Sequence, residues 1–409
     1  MANSVLNPSV IAKESLMQLK NNTVMGNLVH REYKKEFKKV GDTVSIRKPV
    51  KFVTSDGATR VNQDVEEGNT SVTINSRKHV SWNFSTQDLT LSIEEYSKRY
   101  IEPAMITLAQ TLDQGGFGLY KDVWNQVGTP GTTPDTFAKV SPSARRLDEM
   151  AVMSNDRNLV LNPEAHYGIA GDQVGLQNQA MVKTAYEAAK IGRIAGLNTY
   201  SSNNIKTHTV GAHGGTPLVA GGSQETTYAL SKTTNTQSLV TDGWTNSTAV
   251  LKAGDVFTIA GVYAVNPVPG EGSTGKTAMN YLQQFTVTAD ATSDGSGNAT
   301  LTIAPAIIVS GPYQTVSAAP ADNAAITVMG TASTAYPMNM AFHKNAFALV
   351  TCPLEMPDGV AWKGQESSDG LSVRVVKDYD IDTDQDVIRL DILYGWKSIY
   401  PDLAARLVG

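Results

Sequence analysis

The chain has 409 residues, of which 41% are hydrophobic and 18% charged, and its formal net charge is -5. This length predicts two or three folded domains, and the composition excludes a disordered tail. The acidic balance argues against nucleic-acid binding through a dense basic surface. No apolar run approaches the ~20 residues that span a bilayer, and the N-terminus does not resemble a secretion signal. The single cysteine, Cys352, cannot form an intramolecular disulfide, which fits folding in a reducing cytoplasm.

The first predicted element is a helical arm. Apolar residues recur at approximately helical spacing between residues 9 and 30, and the charged run 31–39 follows. The sequence therefore predicts an N-terminal arm over residues 1–30.

A long hairpin with a hydrophilic tip is predicted next. Val44 and Ile46 alternate with polar neighbours, and the alternation resumes at Val72 and Ile74 after a polar interval. A two-stranded ribbon is at best marginally stable alone, so we expect it to rest on another surface. Charged side chains of both signs lie along it: Arg47, Lys48, Lys51, Asp56, Arg60, Asp64, Glu66 and Glu67.

Helical signals follow a strand predicted at Val80, Trp82 and Phe84. Residues 92–95 read Ser-Ile-Glu-Glu, a capping-box pattern that predicts a helix start. Pro103 suits the first turn of a second, longer helix running towards Trp124. Three glycines, at positions 115, 116 and 118, predict close packing or a bend.

The next stretch alternates helices and strands. A helix capped at Ser141 and Pro142 is expected to reach about Met150, and a short strand covers residues 159–161. A second helix is expected to start at Asn162, and a third to span residues 178–190. This pattern predicts an α/β domain. Arg145 and Arg146 form a basic pair on the first of these helices, which either contacts DNA or is solvated or salt-bridged.

Residues 206–335 form a distinct module in which Gly, Thr, Ser and Ala dominate. Period-two alternation at residues 255–259, 285–288, 300–303 and 325–328 predicts short strands, and hence a small β-sandwich or barrel. The mixed pattern returns at residues 341–350, so the module is expected to be an insertion. Strands at residues 371–376 and 387–393 close the chain.

One segment matches a catalytic motif. Residues 270–277 read Gly-Glu-Gly-Ser-Thr-Gly-Lys-Thr, the phosphate-binding loop pattern. Such a loop must leave a buried parallel strand and open a helix, whereas prolines precede this one and a strand pattern follows it. We therefore predict a hairpin loop here and not a nucleotide site.

No other chemistry has a convincing signature. Asp380, Asp382, Asp384 and Asp386 lack the glycine that a calcium loop needs and predict a solvated turn. The six histidines are scattered without metal-ligand spacing. The sequence predicts no enzyme, metal or cofactor.

The order of these pieces resembles the major capsid proteins of tailed bacteriophages, which have the HK97-like fold. Local phrases at residues 40–47, 79–84, 191–200 and 341–348 carry the resemblance, which extends over nearly the whole chain. The inserted module makes the chain most similar to the P22-like coat proteins, whose axial domain carries an immunoglobulin-like insertion.

The resemblance implies an α+β, HK97-like fold with five parts. These are an N-terminal arm (1–30), an extension loop (31–83), a peripheral domain with a spine helix (84–140), an axial domain (141–205 and 336–409) and the inserted β domain (206–335). The charged side chains of the hairpin become candidate intersubunit contacts, and Arg145 and Arg146 become candidate DNA-facing residues.

The implied function is structural. The chain is expected to self-assemble through pentameric and hexameric capsomers into the icosahedral shell of the virion, in the host cytoplasm, around double-stranded DNA that it contacts weakly. Scaffolding, portal and decoration proteins are further expected partners. A surface adhesin and a nucleotide-binding protein remain the alternatives.

Overall fold

A computed structural model of the chain describes residues 8–32, 43–54, 57–60, 62–85, 97–174, 189, 191–268, 276–360, 362–380 and 385–409. Helices and sheets are mixed, so the predicted α+β class is confirmed. The helix start predicted at Ser92 and nearly all of the helix predicted over residues 178–190 lie outside the described residues. The α-helices are α1 (Pro8–Asn22), α2 (Met25–Leu28), α3 (Glu102–Phe117), α4 (Phe137–Glu149), α5 (Pro163–Val174) and α6 (Tyr228–Ser231).

The strands range in length from two residues to the 14 residues of β21. They are β1 (Thr43–Arg47), β2 (Asn69–Thr73), β3 (Ser76–Ser85), β4 (Gln126–Val127), β5 (Arg157–Leu161), β6 (Arg193–Ile194), β7 (Leu197–Ser201), β8 (Thr207–Thr209), β9 (Gly215–Val219), β10 (Gln237–Trp244), β11 (Ala249–Leu251), β12 (Val256–Val265), β13 (Ala278–Val287), β14 (Ala291–Thr292), β15 (Ala299–Ala304), β16 (Ile326–Val328), β17 (Ala335–His343), β18 (Phe347–Thr351), β19 (Trp362–Ser368), β20 (Leu371–Asp380), β21 (Gln385–Ser398) and β22 (Ala404–Val408).

The chain divides into two compact units. The first comprises Met1–Ser45, Ser71–Phe117 and Phe347–Ile399, and the second comprises Ile46–Thr70, Gly118–Ala346 and Tyr400–Gly409. Each unit therefore draws on segments that are distant in the sequence.

The first unit is built on a twisted antiparallel sheet covered by helices. Its strands run in the order β18, β21, β20, β19, and β3 also pairs with β21, from Ser85 opposite Gln385 to Ser76 opposite Tyr394. Helix α1 packs against β19, β20 and α3. Val373 and Val375 of β20 and Ile388 and Leu390 of β21, at alternate positions, are buried.

Helix α3 begins as predicted, with Pro103 in its first turn, but it ends earlier than predicted. A π-helical turn, Ser97–Ile101, leads directly into it. The α-helix ends at Phe117 and continues as a 3-10 helix, Gly118–Asp122, instead of reaching Trp124 as one helix. The low helix propensity of the glycines at 115, 116 and 118 accounts for this early end.

The second unit contains a mixed sheet in the order β4, β22, β17, β5, β7, β6, and β8 also pairs with β17. Buried side chains of α4 and α5 form one core with this sheet. Helix α4 starts at Phe137, one turn before the predicted cap, so Pro142 lies inside it. Pro142 has no amide hydrogen to donate to the Ala138 carbonyl, so one helical hydrogen bond is lost. The Ser141 hydroxyl donates to that carbonyl oxygen instead (3.5 Å), which offsets the loss.

The sequence module between residues 206 and 335 forms an antiparallel barrel. Its strands run in the order β16, β12, β13, β15, β10, β9, and a bridge between Leu218 and Ala325 closes the circle. The four period-two runs predicted as strands correspond to β12, β13, β15 and β16. Strands β9 and β10 were not predicted, because Gly215, Pro217 and Gly243 interrupt their alternation. The barrel has its own buried core, distinct from that of the neighbouring mixed sheet.

Candidate assembly surfaces

The extension ribbon comprises β1, β2 and the residues between them, 43–73. The strands pair only at its base, where the hydroxyls of Thr43 and Thr73 lie 2.9 Å apart and the Lys48 amide donates to the Gly68 carbonyl oxygen (2.7 Å). Further out, the Gln63 side chain acts in place of a strand partner, because its oxygen accepts the Val53 amide (2.9 Å) and its nitrogen donates to the Val53 carbonyl. The distal part of the ribbon is thus held by side chains.

The charged residues predicted as contacts lie mostly on the surface of this ribbon. Arg47 pairs loosely with Glu67 (3.5 Å), and both side chains are at least half exposed. Lys51, Arg60 and Asp64 are exposed, Lys48 and Glu66 are partly buried, and Asp56 lies outside the described residues. Two large apolar side chains, Phe52 and Val65, are also 56% and 62% exposed. The ribbon therefore presents both charge and apolar area to solvent in the isolated chain.

A pair of barrel tyrosines holds the root of the ribbon. The rings of Tyr228 and Tyr313 stack with their centroids 3.4 Å apart. The Tyr313 hydroxyl accepts the Lys51 amide (3.2 Å) from one side of the ribbon and donates to the Glu66 carbonyl (2.8 Å) on the other. A Cβ atom on Gly68 would lie 2.3 Å from the Tyr228 hydroxyl, so the backbone approaches as closely as glycine permits. We call Tyr228 and Tyr313 the tyrosine clamp.

A cavity of about 480 Å³ adjoins the clamp. Its lining includes four lysines, Lys48, Lys51, Lys232 and Lys276, and, among the described residues that line it, a single carboxylate, Asp402. Lys276 is 9% exposed, and its ammonium group donates to the Gln314 carbonyl (2.9 Å). Burial, together with the positive charge of Lys51, lowers the pKa of Lys276 to about 7. The described lining of the cavity therefore carries more positive than negative charge.

Lys276 belongs to the phosphate-loop motif, residues 270–277, and the strands on either side of that motif show its structural context. Residues 270–275 lie outside the described residues, but strand β12 precedes them and the antiparallel strand β13 follows. The Asn266 amide donates to the Thr277 carbonyl (2.9 Å), which continues the hairpin ladder up to the motif. A strand thus stands where a phosphate loop requires a helix, and the predicted hairpin is confirmed.

The two arginines proposed to face DNA have different surroundings. Arg145 is 69% exposed and lies 3.4 Å from Glu149. Arg146 is 7% exposed, and its guanidinium lies over the Tyr281 ring, 3.8 Å from the centroid. Because Tyr281 and Glu149 cover it, Arg146 is not available to a phosphate in this structure, and only Arg145 remains a candidate.

The N-terminal arm is anchored within the first unit. His30 exchanges backbone hydrogen bonds with β18, donating to Phe347 (3.2 Å) and accepting from Leu349 (3.0 Å). The buried Asp113 carboxylate of α3 accepts the amides of Val24 (2.6 Å) and Gly26 (3.2 Å) at the start of α2. Burial, partly offset by these hydrogen bonds, raises the pKa of Asp113 to about 6. The arm is therefore an integral part of the unit.

A buried polar network joins the barrel to the mixed sheet, and sequence reasoning missed it. His208 contacts the Tyr120 hydroxyl (2.9 Å) and the Asp255 carboxylate (2.7 Å). Arg406 is fully buried and donates to the Gly254 carbonyl (2.5 Å) and the Thr286 hydroxyl (3.0 Å). Partners separated by tens to more than a hundred residues leave no local signal, so only the fold reveals them.

Signs of other protein classes are limited in the part of the chain that the structure describes. No helix there is long and apolar enough to cross a membrane. No group of three or more His, Cys, Asp or Glu side chains there could hold a metal ion.

Comparison with known proteins identifies the class of this protein. The family described as P22 coat protein, gene protein 5, matches residues 1–409, the full length. A curated relative, the major capsid protein of Acyrthosiphon pisum secondary endosymbiont phage 1, is 24% identical over 293 residues, or 69% of this chain and 68% of the relative. The protein is thus a phage coat protein, a structural subunit of the capsid shell and a component of the virion. It belongs to the P22 coat protein family.

Solved structures with similarity to the chain include two from phages. One is described as Mycobacterium phage Che8, with 15% identity, a TM-score of 0.47 and coverage of 94% of this chain and 90% of that one. Another is the mature capsid of bacteriophage PhiM1, with 12% identity, a TM-score of 0.40 and coverage of 89% and 81%.

Proposed function

We propose that the chain forms a closed icosahedral shell of pentameric and hexameric capsomers around double-stranded DNA, and that its extension ribbon makes the principal contacts between subunits. The observation that carries this proposal is the ribbon itself. Its exposed apolar and charged side chains lack a covering surface within the described part of their own unit, and a neighbouring subunit would cover them.

The five parts implied by the family resemblance fit this arrangement. The arm (1–30) would stay packed in its own unit, and the ribbon (within 31–83) would reach neighbours. The peripheral region (84–140) with α3 and the axial region (141–205 and 336–409) would form the shell wall in an HK97-like manner, and the barrel (206–335) would hold the ribbon root through the tyrosine clamp. A closed shell repeats each contact many times, so individually modest interfaces are sufficient.

The role is proposed to be structural and not catalytic. Lys276, the lysine of the phosphate-loop motif, donates to a backbone carbonyl and lies between the two strands of a β-hairpin. DNA contact would be weak per subunit, with Arg145 as its candidate. Scaffolding, portal and decoration proteins would be further partners of the assembling shell.

Assembly of the purified protein tests the proposal. Negative-stain electron microscopy of the wild type should reveal closed shells, whereas a variant carrying Arg47→Glu and Lys51→Glu should assemble at least about tenfold more slowly, because reversed charges at a contact oppose encounter. Lys252→Glu, on an exposed barrel site away from the ribbon, serves as the matched control. Shells forming equally fast from all three proteins would contradict the role of the ribbon.

A further inference from the structure

The lysine-lined cavity beside the tyrosine clamp has features of an unfilled binding site. It lies at the root of the extension ribbon, between ribbon residues such as Lys48 and Lys51 and the barrel. Burying a cation is costly unless it is paired, and among the described residues the Lys276 ammonium donates to a neutral carbonyl, that of Gln314, while Asp402 offsets its burial only in part. An anionic group entering the cavity would balance this charge.

The chain itself carries a suitable anionic segment. From the end of β20 to the start of β21 the sequence places aspartates at every second position, Asp378, Asp380, Asp382, Asp384 and Asp386. Asp378, at the described edge of this segment, is exposed. No lysine or arginine interrupts the run, so it is the densest concentration of negative charge in the sequence.

We propose that the lysine-lined cavity of one subunit receives aspartate side chains from the aspartate-rich segment, residues 378–386, of a second copy of the chain. This rests on the proposed function, since copies of a shell subunit meet one another in a fixed arrangement. Charge complementarity favours the segment, because four lysines face a single aspartate within the cavity. Duplex DNA fits less well, since its phosphates lie on a rod too wide to enter a walled cavity of about 480 Å³.

The proposal gives the ribbon root a second role. Lys51 is held by the tyrosine clamp through its backbone amide, which leaves its side chain to line the cavity. A carboxylate beside Lys276 and Lys51 would offset both burial and the repulsion between the two ammonium groups. Docking would therefore tie the ribbon, the barrel and a second subunit together at one place.

Zero-length cross-linking tests the contact directly. Shells are assembled from an equal mixture of 15N-labelled and unlabelled protein and treated with a carbodiimide, which joins amines to carboxylates in contact. Mass spectrometry should identify amide links from Lys51, Lys232 or Lys276 to residues 378–386, with labelled and unlabelled peptides joined. Wild-type shells without such links would overturn this inference and leave the proposed function standing, whereas absence of shells would overturn both.

A charge exchange provides the second arm. Lys51→Glu alone and Asp382→Lys alone should each slow assembly about tenfold in light scattering, and the double variant should recover most of the wild-type rate. Additive loss in the double variant would contradict direct pairing. Saturable binding of inorganic phosphate by shells that yield no link between subunits would identify an ion site and likewise overturn the second copy as the occupant.

Discussion

Gly116 has no room for a side chain, because α3 packs tightly against Trp396. A Cβ atom there would lie 2.8 Å from two ring carbons of Trp396 and 3.0 Å from the Met25 sulfur. The Trp396 indole also donates to the Leu112 carbonyl (3.0 Å), which fixes the ring in place. The close packing predicted from the glycine run therefore occurs at Gly115 and Gly116, both of which contact this ring.

We expect Gly116→Ala to lower the free energy of unfolding by about 1–3 kcal/mol through overpacking. Gly118→Ala is the matched control, because nothing lies within 4 Å of its added Cβ, and its effect should be within about 1 kcal/mol. Urea unfolding followed by tryptophan fluorescence measures both. Equal changes in the free energy of unfolding for the two variants would mean that helix propensity, and not the contact with Trp396, determines the effect of Gly116→Ala.

Asp113 should make the first unit sensitive to pH. Its pKa is raised from 3.8 to about 6, so the protonated form favours folding. The resulting stability is fully present below about pH 4 and is lost as pH rises through 6, which amounts to about 3 kcal/mol. Asp113→Asn should remove this part of the pH dependence while an amide oxygen still accepts a backbone hydrogen bond.

Unfolding free energies measured from pH 4 to pH 7 check this expectation. Wild type and Asp64→Asn, a control at an exposed ribbon carboxylate, should lose stability across that range, and Asp113→Asn should lose less. Parallel curves for all three proteins would exclude Asp113 as the responsible group.

At the scale of elements, β21 organises the first unit by pairing with β3, β20 and β18 along its 14 residues. The strand carries a buried carboxylate, Asp391, that is surrounded by arginines. The Asp391 carboxylate contacts Arg374 of β20 (2.5 Å), Arg389 (2.9 Å) and Arg77 of β3 (3.3 Å). Burial raises the pKa of Asp391, but the hydrogen bonds and charges of Arg374 and Arg389 outweigh burial and hold it below 3.8.

Asp391→Asn should destabilise the protein by about 3–5 kcal/mol at neutral pH, because it leaves the arginines clustered without their carboxylate. Since the folded pKa is depressed, the stabilisation is present above about pH 4 and is lost as pH falls below it, so the difference between variant and wild type should shrink in acid. Denaturant unfolding at pH 7 and near pH 3 gives the comparison. Asp378→Asn, an exposed carboxylate on β20, should have little effect at either pH.

The sequence predicted those elements whose signal is local. Alternation identifies strands because one face is better covered than the other. Leu371, Val373 and Val375 are buried, and Val80 and Trp82 are partly buried between exposed neighbours. Helix α4 was placed one turn late because Ser141 and Pro142 resemble a cap, while the buried face that includes Val140 and Leu147 determines its true extent. Surfaces such as the tyrosine clamp could not be predicted, since Tyr228 and Tyr313 meet only after the barrel closes.

At the scale of the whole molecule, the barrel has a buried core of its own within the second unit. Its buried core residues lie between Val219 and Ile326. The chain enters through β8 and leaves into β17, and these strands pair with Thr209 opposite Ala335. The Val210 amide also donates to the Thr334 carbonyl (3.0 Å).

We therefore expect a fragment of residues 210–334 to fold alone. The fragment should give a dispersed amide NMR spectrum and a cooperative thermal transition. Asp255 and Thr286 lose their partners His208 and Arg406 in the fragment, but removing the rest of the chain exposes both residues to water, so neither is left buried and unpaired. Phe257→Ala, which empties the barrel core, should abolish or strongly lower that transition. A fragment without a cooperative transition would mean that the barrel depends on the mixed sheet.

The pairing of β8 with β17 also has a consequence for how such a coat protein can change over generations. Because the two crossings of the chain are neighbours, a foreign sequence whose own ends are close together could replace the barrel without altering the path of the remaining backbone. The junction is thus a natural point for exchanging whole modules between phage lineages, and equally a site at which an engineer could graft an enzyme or antigen onto a particle.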